Sequence, residues 1–419
     1  MLMERILSRD NLLTALKRVE QNKGSHGIDG MSVKFLRRHL YENWDSLREA
    51  LRTGTYQPSP VRRVEIPKLS GGIRLLGIPT VTDRFIQQAI AQVLTPIFDP
   101  SFSESSYGFR PNRSAHDAVR KAKGFIQEGF RWVIDMDLEK FFDKVNHDKL
   151  MGVLAKRIED RILLKLIRKY LQSGVMLNGV VQSTEEGTPQ GGPLSPLLSN
   201  IILDKLDKEL EVRGHKFVRY ADDCNIYVKS SKAGKRVMES ITAFIEQELK
   251  LKVNRDKSAV DYPWKRRFLG FSFTFNKEPK VRIAKESIKR FKSKIREITS
   301  RSKPFPMEVR IEMLNRYLTG WCGYFALADT PSKFKEFDKW IRRRLRMCEW
   351  KQWKKPKTRV RKLIGLGVPD YKAYEWGNSR KKYWRIAHSP ILDKTLDKSF
   401  WSQRGLRSLY NRYEILRQS

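Results

Sequence analysis

The segment from Phe217 to Val228 constrains the fold more than any other part of this 419-residue chain. It places two β-rich runs on either side of a short polar tip that holds the adjacent aspartates Asp222 and Asp223. β-Branched and aromatic residues around a polar turn predict an antiparallel hairpin. Two neighbouring carboxylates repel each other, and a divalent cation offsets that repulsion well because Mg²⁺ prefers hard oxygen ligands. Ordinary use of aspartate in a turn explains the segment, taken alone, at least as simply.

A second acidic segment begins at Trp132 and is typical of a strand that ends near Asp137. Successive side chains of a strand point to opposite faces, so Ile134 and Met136 share one face while Asp135 and Asp137 share the other. A carboxylate at the end of a strand, near a hairpin that carries two more, predicts a two-metal site. Two such ions activate an attacking 3′ oxygen and stabilise a leaving pyrophosphate oxygen in an in-line displacement.

The charge of the chain indicates a polyanionic partner, with nucleic acid as the first candidate. Lys and Arg number 84 against 47 Asp and Glu, a formal net charge of +37, and residues 261–419 hold 41 of those bases against 15 acids. Seven of the ten tryptophans follow residue 300. Basic residues interleaved with large aromatics suit RNA and single strands, which are held through phosphates and stacked bases. Burial of these tryptophans in a helical core is an equally simple alternative.

Composition excludes several other classes of protein. Three cysteines in 419 residues rule out a disulfide-built secreted scaffold. No run of 18 or more apolar residues indicates a transmembrane helix, and the first residues lack the pattern of a signal peptide. We therefore expect a cytoplasmic, nucleoid-associated protein that has no membrane partner and is a monomer.

Periodicity and turn chemistry predict the main local elements. Helices are expected over 4–22, 83–97, 160–172 and 196–210, and a hairpin over 61–67 and 73–78. A further helix starts at Pro331 behind the N-cap Thr330, with the apolar stripe Phe334, Phe337, Ile341, Leu345 and Cys348. Arginines flank this stripe, so one face should pack while the other offers cations. Residues 354–359 are expected to form a linker.

Three motifs in a fixed order carry a family resemblance. Tyr220-Ala-Asp-Asp223 resembles the YxDD box of reverse transcriptases, Asp137 with its trailing phenylalanines resembles their first aspartate motif, and Gly187 to Pro196 resembles the block between them. Residues 318–325 and 341–353 resemble the maturase-specific thumb. The whole chain resembles a bacterial group II intron-encoded reverse transcriptase/maturase, most closely the group IIC type.

The resemblance implies an α+β fold of the right-hand polymerase kind. Fingers and a palm with an antiparallel sheet would occupy 1–280, including an N-terminal extension over 1–50. A helical thumb/maturase domain would occupy 281–353, and a small basic DNA-binding module 360–419. The cysteines are isolated and the histidines lack zinc-ligand spacing, so no H-N-H endonuclease domain is expected.

The resemblance also implies a set of site residues. Asp137, Asp222, Asp223 and the backbone carbonyl of Leu138 would hold two Mg²⁺ ions, for which Mn²⁺ can substitute. Phe142 would be a steric gate that rejects a ribose 2′-hydroxyl, although two core phenylalanines are the plainer interpretation of that pair. The implied dNTP-binding residues are Lys68, Arg74, Phe142, Gln190 and Lys257. The implied template, primer or RNA contacts are Gly24, Gly27, Gly30, Arg62, Arg63, Arg110, Tyr220, Gly270, Arg342, Arg343, Arg344 and Arg346.

The implied activity is RNA-directed DNA polymerisation from a primer 3′-hydroxyl, combined with maturase assistance to splicing and retrohoming. The implied partners are group II intron RNA, an RNA template with a DNA primer, target DNA and dNTPs. One alternative is a maturase-only splicing factor without polymerase activity, although all three aspartates are present. Another is a different bacterial reverse transcriptase, such as a retron or CRISPR-associated enzyme. An RNA-dependent RNA polymerase is less favoured, because Tyr-Ala-Asp-Asp replaces the usual Gly-Asp-Asp.

Overall fold

The computed structural model describes residues 1–67, 72–177, 180–182, 186–187 and 191–418, with the side chains of residues 74, 177 and 180–182 left out. It contains two compact units, Met1–Arg266 and Arg267–Ser419. None of the described helices is long and apolar enough to cross a membrane. Helices and antiparallel strands both contribute, which confirms the α+β prediction.

The first unit contains most of the strands. Its helices and strands, in chain order, are α1 Leu2–Ile6, α2 Arg9–Asn22, α3 Leu36–Thr53, β1 Val61–Pro67, β2 Ile73–Ile78, α4 Val81–Phe98, α5 Ala115–Gln127, β3 Trp132–Met136, α6 Phe141–Lys144, α7 His147–Leu154, α8 Arg161–Gln172, β4 Val175–Leu177, β5 Val180–Gln182, α9 Ser195–Val212, β6 Lys216–Tyr220, β7 Asp223–Val228, α10 Ser231–Phe244 and β8 Ala259–Asp261. Short 3₁₀ turns cover Val33–Phe35 and Asp99–Ser101, and a π-turn covers Ile245–Leu249.

The central sheet of this unit has the order β6-β7-β3-β8 with antiparallel pairing throughout. Met136 at the end of β3 lies opposite Cys224 of β7. Because the two strands run in opposite directions, Asp137 leaves β3 at the same edge where Asp222 and Asp223 enter β7. The pairing register therefore brings together two acidic motifs that lie far apart in the sequence.

A second sheet has the order β2-β1-β4-β5, in which β1 and β2 form the predicted hairpin and β1 pairs with β4 in parallel. The predicted helices over 83–97, 160–172 and 196–210 are present as α4, α8 and α9. The prediction of one helix over 4–22 is wrong. Ser8 is extended there, and the side chain of Asn11 donates a hydrogen bond to the carbonyl of Ile6, which ends α1 before α2 begins.

The core of the first unit joins the helices to the inner face of the central sheet. Helix α9 carries leucines and isoleucines on several sides and is buried along most of its length, as expected of a helix covered by several elements. Helix α8 is amphipathic and buries Leu163, Ile167 and Leu171, the i, i+4, i+8 positions of the predicted stripe. This packing holds the sheet edge that carries the aspartates on a rigid base.

The second unit is mainly helical. Its elements are β9 Phe271–Phe273, β10 Val281–Ile283, α11 Lys285–Ile298, α12 Met307–Phe325, α13 Pro331–Gln352, α14 Pro356–Gly365, α15 Asp370–Gly377, α16 Tyr383–Ile386, α17 Pro390–Thr395, α18 Lys398–Gln403 and α19 Leu409–Gln418. The apolar stripe predicted for α13 is buried as expected. Among the tryptophans after residue 300, Trp321, Trp350, Trp353 and Trp401 are buried, so the core interpretation holds for these.

Of two local predictions in this unit, one is confirmed and one is wrong. Thr330 occupies the predicted N-cap position of α13 with Pro331 after it, although its hydroxyl makes no capping bond and is buried without a partner. The predicted linker over 354–359 is wrong in extent, because α14 already begins at Pro356.

The last helix, α19, packs on α12 and α13, where Asp338 of α13 accepts hydrogen bonds from the backbone of Leu409 and Tyr410.

Candidate active site

One cavity of the first unit gathers the predicted catalytic residues. It has a volume of about 880 Å³, and Asp137, Leu138, Phe142, Asp222, Asp223 and Lys257 all line it. These residues come from the ends of β3 and β7, from α6 and from the segment before β8. The structure thus assembles six of the sequence-predicted site residues at one place.

The turn that carries Asp222 packs against the loop around Gly108. Ala221 has a φ of 55°, a left-handed conformation that non-glycine residues seldom adopt. A Cβ atom on Gly108 would lie 2.2 Å from the backbone nitrogen of Ala221, so only glycine allows the two segments to approach this closely. The backbone amide of Tyr107 also donates to the carbonyl of Arg219 at 2.9 Å. The loop around Gly108 therefore fixes the position of the turn that carries Asp222.

Arg219 of β6 is the central residue beneath the turn, and its side chain has no solvent exposure. Its guanidinium donates to both carboxylate oxygens of Asp207 at 2.7 and 2.6 Å. Further donated bonds reach the Asn200 side chain at 3.0 Å, the carbonyl of Ala221 at 2.9 Å and Ser106 Oγ at 2.8 Å. Burial alone would lower the pKa of Arg219, but the Asp207 carboxylate outweighs burial and raises it.

Sequence reasoning missed this network. The available signal was a lone arginine between apolar residues of a predicted strand, which is costly unless a carboxylate pairs with it. Its partner Asp207 lies on a different element, α9, so no local pattern identifies the pair.

Asp135 and Asp137, predicted on one strand face, have different environments. Asp135 accepts two hydrogen bonds from the Arg266 guanidinium at 2.9 and 2.7 Å. Asp137 instead lines the cavity, and its Oδ1 lies 3.7 Å from the Lys257 ammonium. Its backbone amide donates to Ser258 Oγ at 3.0 Å. Of the two carboxylates Asp135 and Asp137, only that of Asp137 is therefore placed to contact a ligand in the cavity.

The donor chemistry of this cavity suits hard divalent cations. Seven carboxylates line it against four cations, and the ammonium of Lys257 lies 3.7 Å from Asp137 Oδ1. Such an excess of hard oxygen donors suits Mg²⁺. Within the described ranges, no group of three His, Cys, Asp or Glu side chains is drawn together as a closed metal site. Like charges repel, so we expect Asp137, Asp222 and Asp223 to converge only when cations neutralise them.

The two phenylalanines after Asp137 play different parts. Phe141 is 2% exposed and belongs to the core, whereas Phe142 is half-buried and lines the carboxylate cavity. Phe142 also lines a neighbouring cavity of about 440 Å³, together with Arg84, Gln88 and Gly191. The core interpretation is thus correct for Phe141, whereas Phe142 packs against the core and also lines both cavities.

Gly187, the first residue of the block at 187–196, lies against the backbone of Phe142 and Asp143. Gly187 has a φ of 93°, and a Cβ atom there would lie 2.9 Å from the carbonyl oxygens of Phe142 and Asp143. His147 is buried, and its Nε2 lies 2.6 Å from the carbonyl oxygen of Gly187. Its place is thus a packing position behind the site.

The glycine-rich loop at 24–30 is attached to the start of α4. A Cβ atom on Gly27 would lie 2.5 Å from Thr80 Cα, and one on Gly24 would lie 2.1 Å from Arg84 Nη1. Arg84 donates to the carbonyl of Ser25 at 2.5 Å, and Arg62 donates to that of His26 at 2.9 Å. Gly30 has a φ of 69°. These contacts commit the guanidinium of Arg62 to the loop.

Comparison with known proteins agrees with this site. A family model described as "Reverse transcriptase (RNA-dependent DNA polymerase)" matches residues 66–273, and one described as "Group II intron, maturase-specific domain" matches residues 288–364. The chain is 34% identical to Protein YkfC of Escherichia coli (strain K12), over 62% of this chain and 78% of that protein. It is 28% identical to the group II intron-encoded protein LtrA of Lactococcus lactis subsp. cremoris, over 79% of this chain and 71% of that protein.

The chain belongs to the group II intron reverse transcriptase/maturase family. Among solved structures, the chain is also similar to one chain of the "Partial Cas6-RT-Cas1--Cas2 complex", with 28% identity and a TM-score of 0.38. That likeness covers 59% of this chain and 43% of the other. The reverse transcriptase match contains the carboxylate cavity, and the maturase match contains α12, α13 and most of α11 and α14.

Several residues expected to contact nucleic acid in this family member are placed differently. Arg110 is buried and donates to Asp99 Oδ1 at 2.8 Å and to the carbonyls of Ser103 and Ser106, so its guanidinium is fully committed within the loop. Its expected contact with template or RNA is thus corrected, because none of its donors faces solvent.

The arginines of α13 also differ from the prediction of one free basic face. Arg343 lies over the Trp384 ring, Arg344 donates to Thr299 Oγ1 at 2.9 Å, and Arg346 is buried and pairs with Asp393. Burial lowers the pKa of all three, in Arg346 to about 10. They form part of the packing of the second unit.

The remaining predicted residues divide into two groups. Arg63, Tyr220 and Arg342 are half-buried, and Gly270 has a φ of 84° with its carbonyl accepting from the amide of Ala284. Lys68, Gln190 and the side chain of Arg74 lie outside the described residues.

Proposed function

We propose that this chain is an RNA-directed DNA polymerase that adds deoxynucleotides to a primer 3′-hydroxyl and also acts as the maturase of its own intron. One observation supports the polymerase above all others: Asp137, Asp222 and Asp223 line one cavity at the edge of the central sheet. Family membership supports the template class and the link to intron RNA.

The three aspartates would hold two divalent cations, Mg²⁺ by preference and Mn²⁺ as a substitute, with the Leu138 carbonyl completing the site. Such ions supply the acidity that activates a 3′-hydroxyl and the charge that stabilises a leaving pyrophosphate. The protein contributes positioning. The antiparallel register and the Arg219 network would hold the turn that carries Asp222 beside the end of β3, so that only the side chains need to converge when the ions bind.

The other cavity residues would select and orient the nucleotide. Phe142, half-buried at the cavity wall, would occupy the space that a ribose 2′-hydroxyl requires. Lys257, near Asp137, would donate a proton to the departing pyrophosphate. Lys68 and Arg74 would contact the triphosphate, and Gln190 would lie against the incoming base or template.

The nucleic-acid partners would bind basic surfaces on both units. The net charge of +37 supports binding of an RNA template with a DNA primer, of intron RNA and of target DNA. The N-terminal loop at 24–30 would cover the template. The buried, unpaired cysteines Cys224, Cys322 and Cys348 are consistent with work as a monomer in the reducing bacterial cytoplasm.

Primer extension on an RNA template with dNTPs and Mg²⁺ tests the polymerase. We expect Asp222→Asn to abolish extension and Asp256→Asn to retain most of it. Asp256 is an exposed carboxylate that lines the same cavity, so it controls for the loss of one negative charge. Wild-type protein that is folded but inactive in Mg²⁺ and in Mn²⁺, on several templates, would favour the maturase-only alternative. Splicing retained by Asp222→Asn would place two functions on one chain.

A further inference from the structure

The second unit contains a large groove that the polymerase site does not use. It has a volume of about 1190 Å³. Its walls are helices α13 and α14, the end of α11, and the segment that leads from α15 into α16. The residues that line it are Ser300, Arg301, Arg344, Met347, Trp350, Pro356, Arg359, Asn378, Ser379, Arg380, Lys381, Lys382, Tyr383 and Trp384. We call it the α13–α16 groove.

The charge of this groove is entirely positive. Six of the residues that line it are Arg or Lys, and none is Asp or Glu; one of the six, Arg344, is already partly committed to packing by its hydrogen bonds to Thr299. In the part of the chain that the structure describes, no ion pair joins any of these six to a carboxylate. Cations held this close repel one another and create a strong positive potential inside a concave surface. An anionic ligand is the simplest means of relieving that repulsion.

Aromatic rings lie beside two of the guanidinium groups of this groove. Arg359 lies 4.9 Å from the centre of the Trp350 ring, and Arg301 lies 5.0 Å from the centre of the Tyr383 ring. The Nε atom of Arg359 is buried and has no hydrogen-bond partner within the protein. A guanidinium stacked on a ring keeps its donor edge available, and such an edge matches a phosphate.

The groove also offers features that suit an unpaired nucleotide. Trp384 lies at its rim, where Arg343 covers part of the ring at 4.0 Å from its centre and 37% of the residue stays exposed to a base. Ser300, Asn378 and Ser379 supply neutral polar groups that can bond a ribose 2′-hydroxyl. A duplex keeps its bases stacked inside, whereas loops and bulges of RNA present unstacked bases to concave aromatic sites.

We propose that the α13–α16 groove binds an unpaired segment of RNA, with phosphates on its cations and a base against Trp384. This inference rests on the proposed maturase function and names a binding site for it. The groove lies wholly within the second unit, whereas the carboxylate cavity lies in the first.

Paired variants of the full chain test the groove. Arg380→Ala/Lys381→Ala removes two exposed cations from the groove, and Arg361→Ala/Lys362→Ala removes two exposed cations of α14 that do not line it. The probe is a fluorescent, unstructured 12-nucleotide RNA, compared with DNA of the same sequence by anisotropy over a salt series. We expect the groove variant to bind this RNA about tenfold more weakly than the control variant. Its salt slope should fall by about 1.4, since each single-strand phosphate contact contributes about 0.7.

Other readings of the same experiment overturn the proposal. Equal losses in the two variants would mean that only net charge matters. If the groove variant lost RNA and DNA binding equally, the groove would not recognise the ribose 2′-hydroxyl and would bind phosphates of any nucleic acid. Trp384→Ala should weaken RNA binding and Trp384→Phe should restore part of it, and failure of both effects would exclude base stacking. Primer extension on a pre-annealed template should persist in the groove variant. If the wild type itself showed no primer extension, the proposed polymerase function would fail, and that result would leave the groove proposal to be judged by RNA binding.

Discussion

The buried pair of Arg219 and Asp207 allows a quantitative prediction about the catalytic turn. Arg219→Met keeps much of the side-chain length but removes the guanidinium, which leaves the Asp207 carboxylate buried and unpaired. It also releases the carbonyl of Ala221, which accepts from Arg219 at 2.9 Å and belongs to the turn that carries Asp222. We therefore expect the change to loosen the turn as well as to destabilise the first unit.

The magnitude follows from complete burial. Both side chains have no exposure, so solvent cannot screen the charge that remains. Breaking one partner of such a pair costs about 3–5 kcal/mol. Since every 1.4 kcal/mol is a tenfold change, the open population of the β6–β7 hairpin should rise by a factor of about 10²–10⁴. The surface variant Arg213→Ala breaks an i,i+4 pair with Glu209 on α9 and should cost at most about 1 kcal/mol.

Native-state hydrogen exchange of the β6 and β7 amides measures this opening directly, because local stability appears as protection of each segment. Asp207→Leu combined with Arg219→Met removes both charges and should recover more than half of the loss, since apolar replacements of a buried pair are often neutral. The reasoning is refuted if Arg219→Met costs no more than Arg213→Ala, or if the double variant is less stable than Arg219→Met alone.

Three further predictions concern the carboxylate cavity and the residues that support it, with Gly124→Ala as the control for the first. Gly108→Ala places a Cβ atom 2.2 Å from the backbone of Ala221, so primer extension should fall by about 10²-fold, as a shift near 1 Å can cause. Gly124→Ala in α5, where a Cβ atom meets no atom within 4 Å, should retain activity and gain about 1 kcal/mol in urea unfolding. Phe142→Ala should raise kcat/KM for a ribonucleotide relative to its deoxynucleotide, and an unchanged ratio in steady-state kinetics would remove the gate from this residue. Asp135→Asn should lower primer extension by at most about 10²-fold, because Asp135 bonds Arg266 and does not line the cavity, and such a charged hydrogen bond is worth about 1.5–3 kcal/mol. Activity as low as that of Asp137→Asn would show that the two carboxylates act together.

The structure changes how the arginines of this chain are interpreted. Arg110, Arg219 and Arg346 are all buried and paired with carboxylates of their own unit. Sequence alone does not separate an arginine that packs from one that binds phosphate, because both stand among aromatic and apolar neighbours. The distinction depends on whether a carboxylate from another element reaches the guanidinium.

Sequence by itself determined the elements that depend on local patterns. The hairpin at Tyr220 to Asp223 follows from β-rich runs around a turn, helices α4, α8 and α9 follow from apolar periodicity, and the acidic motifs follow from their spacing. These features were predictable because strand alternation and helical period are written in neighbouring residues. The family resemblance that these motifs carry is confirmed by the two matched family models.

Only the tertiary structure decided which of these residues act together. Strand register brought Asp137 to the cavity and left Asp135 with Arg266, although the two share a predicted strand face. Long-range packing likewise placed Gly108 beneath Ala221 and Asp207 against Arg219. Such pairings depend on contacts between segments about a hundred residues apart, or on different elements, and no local period encodes which segments will meet.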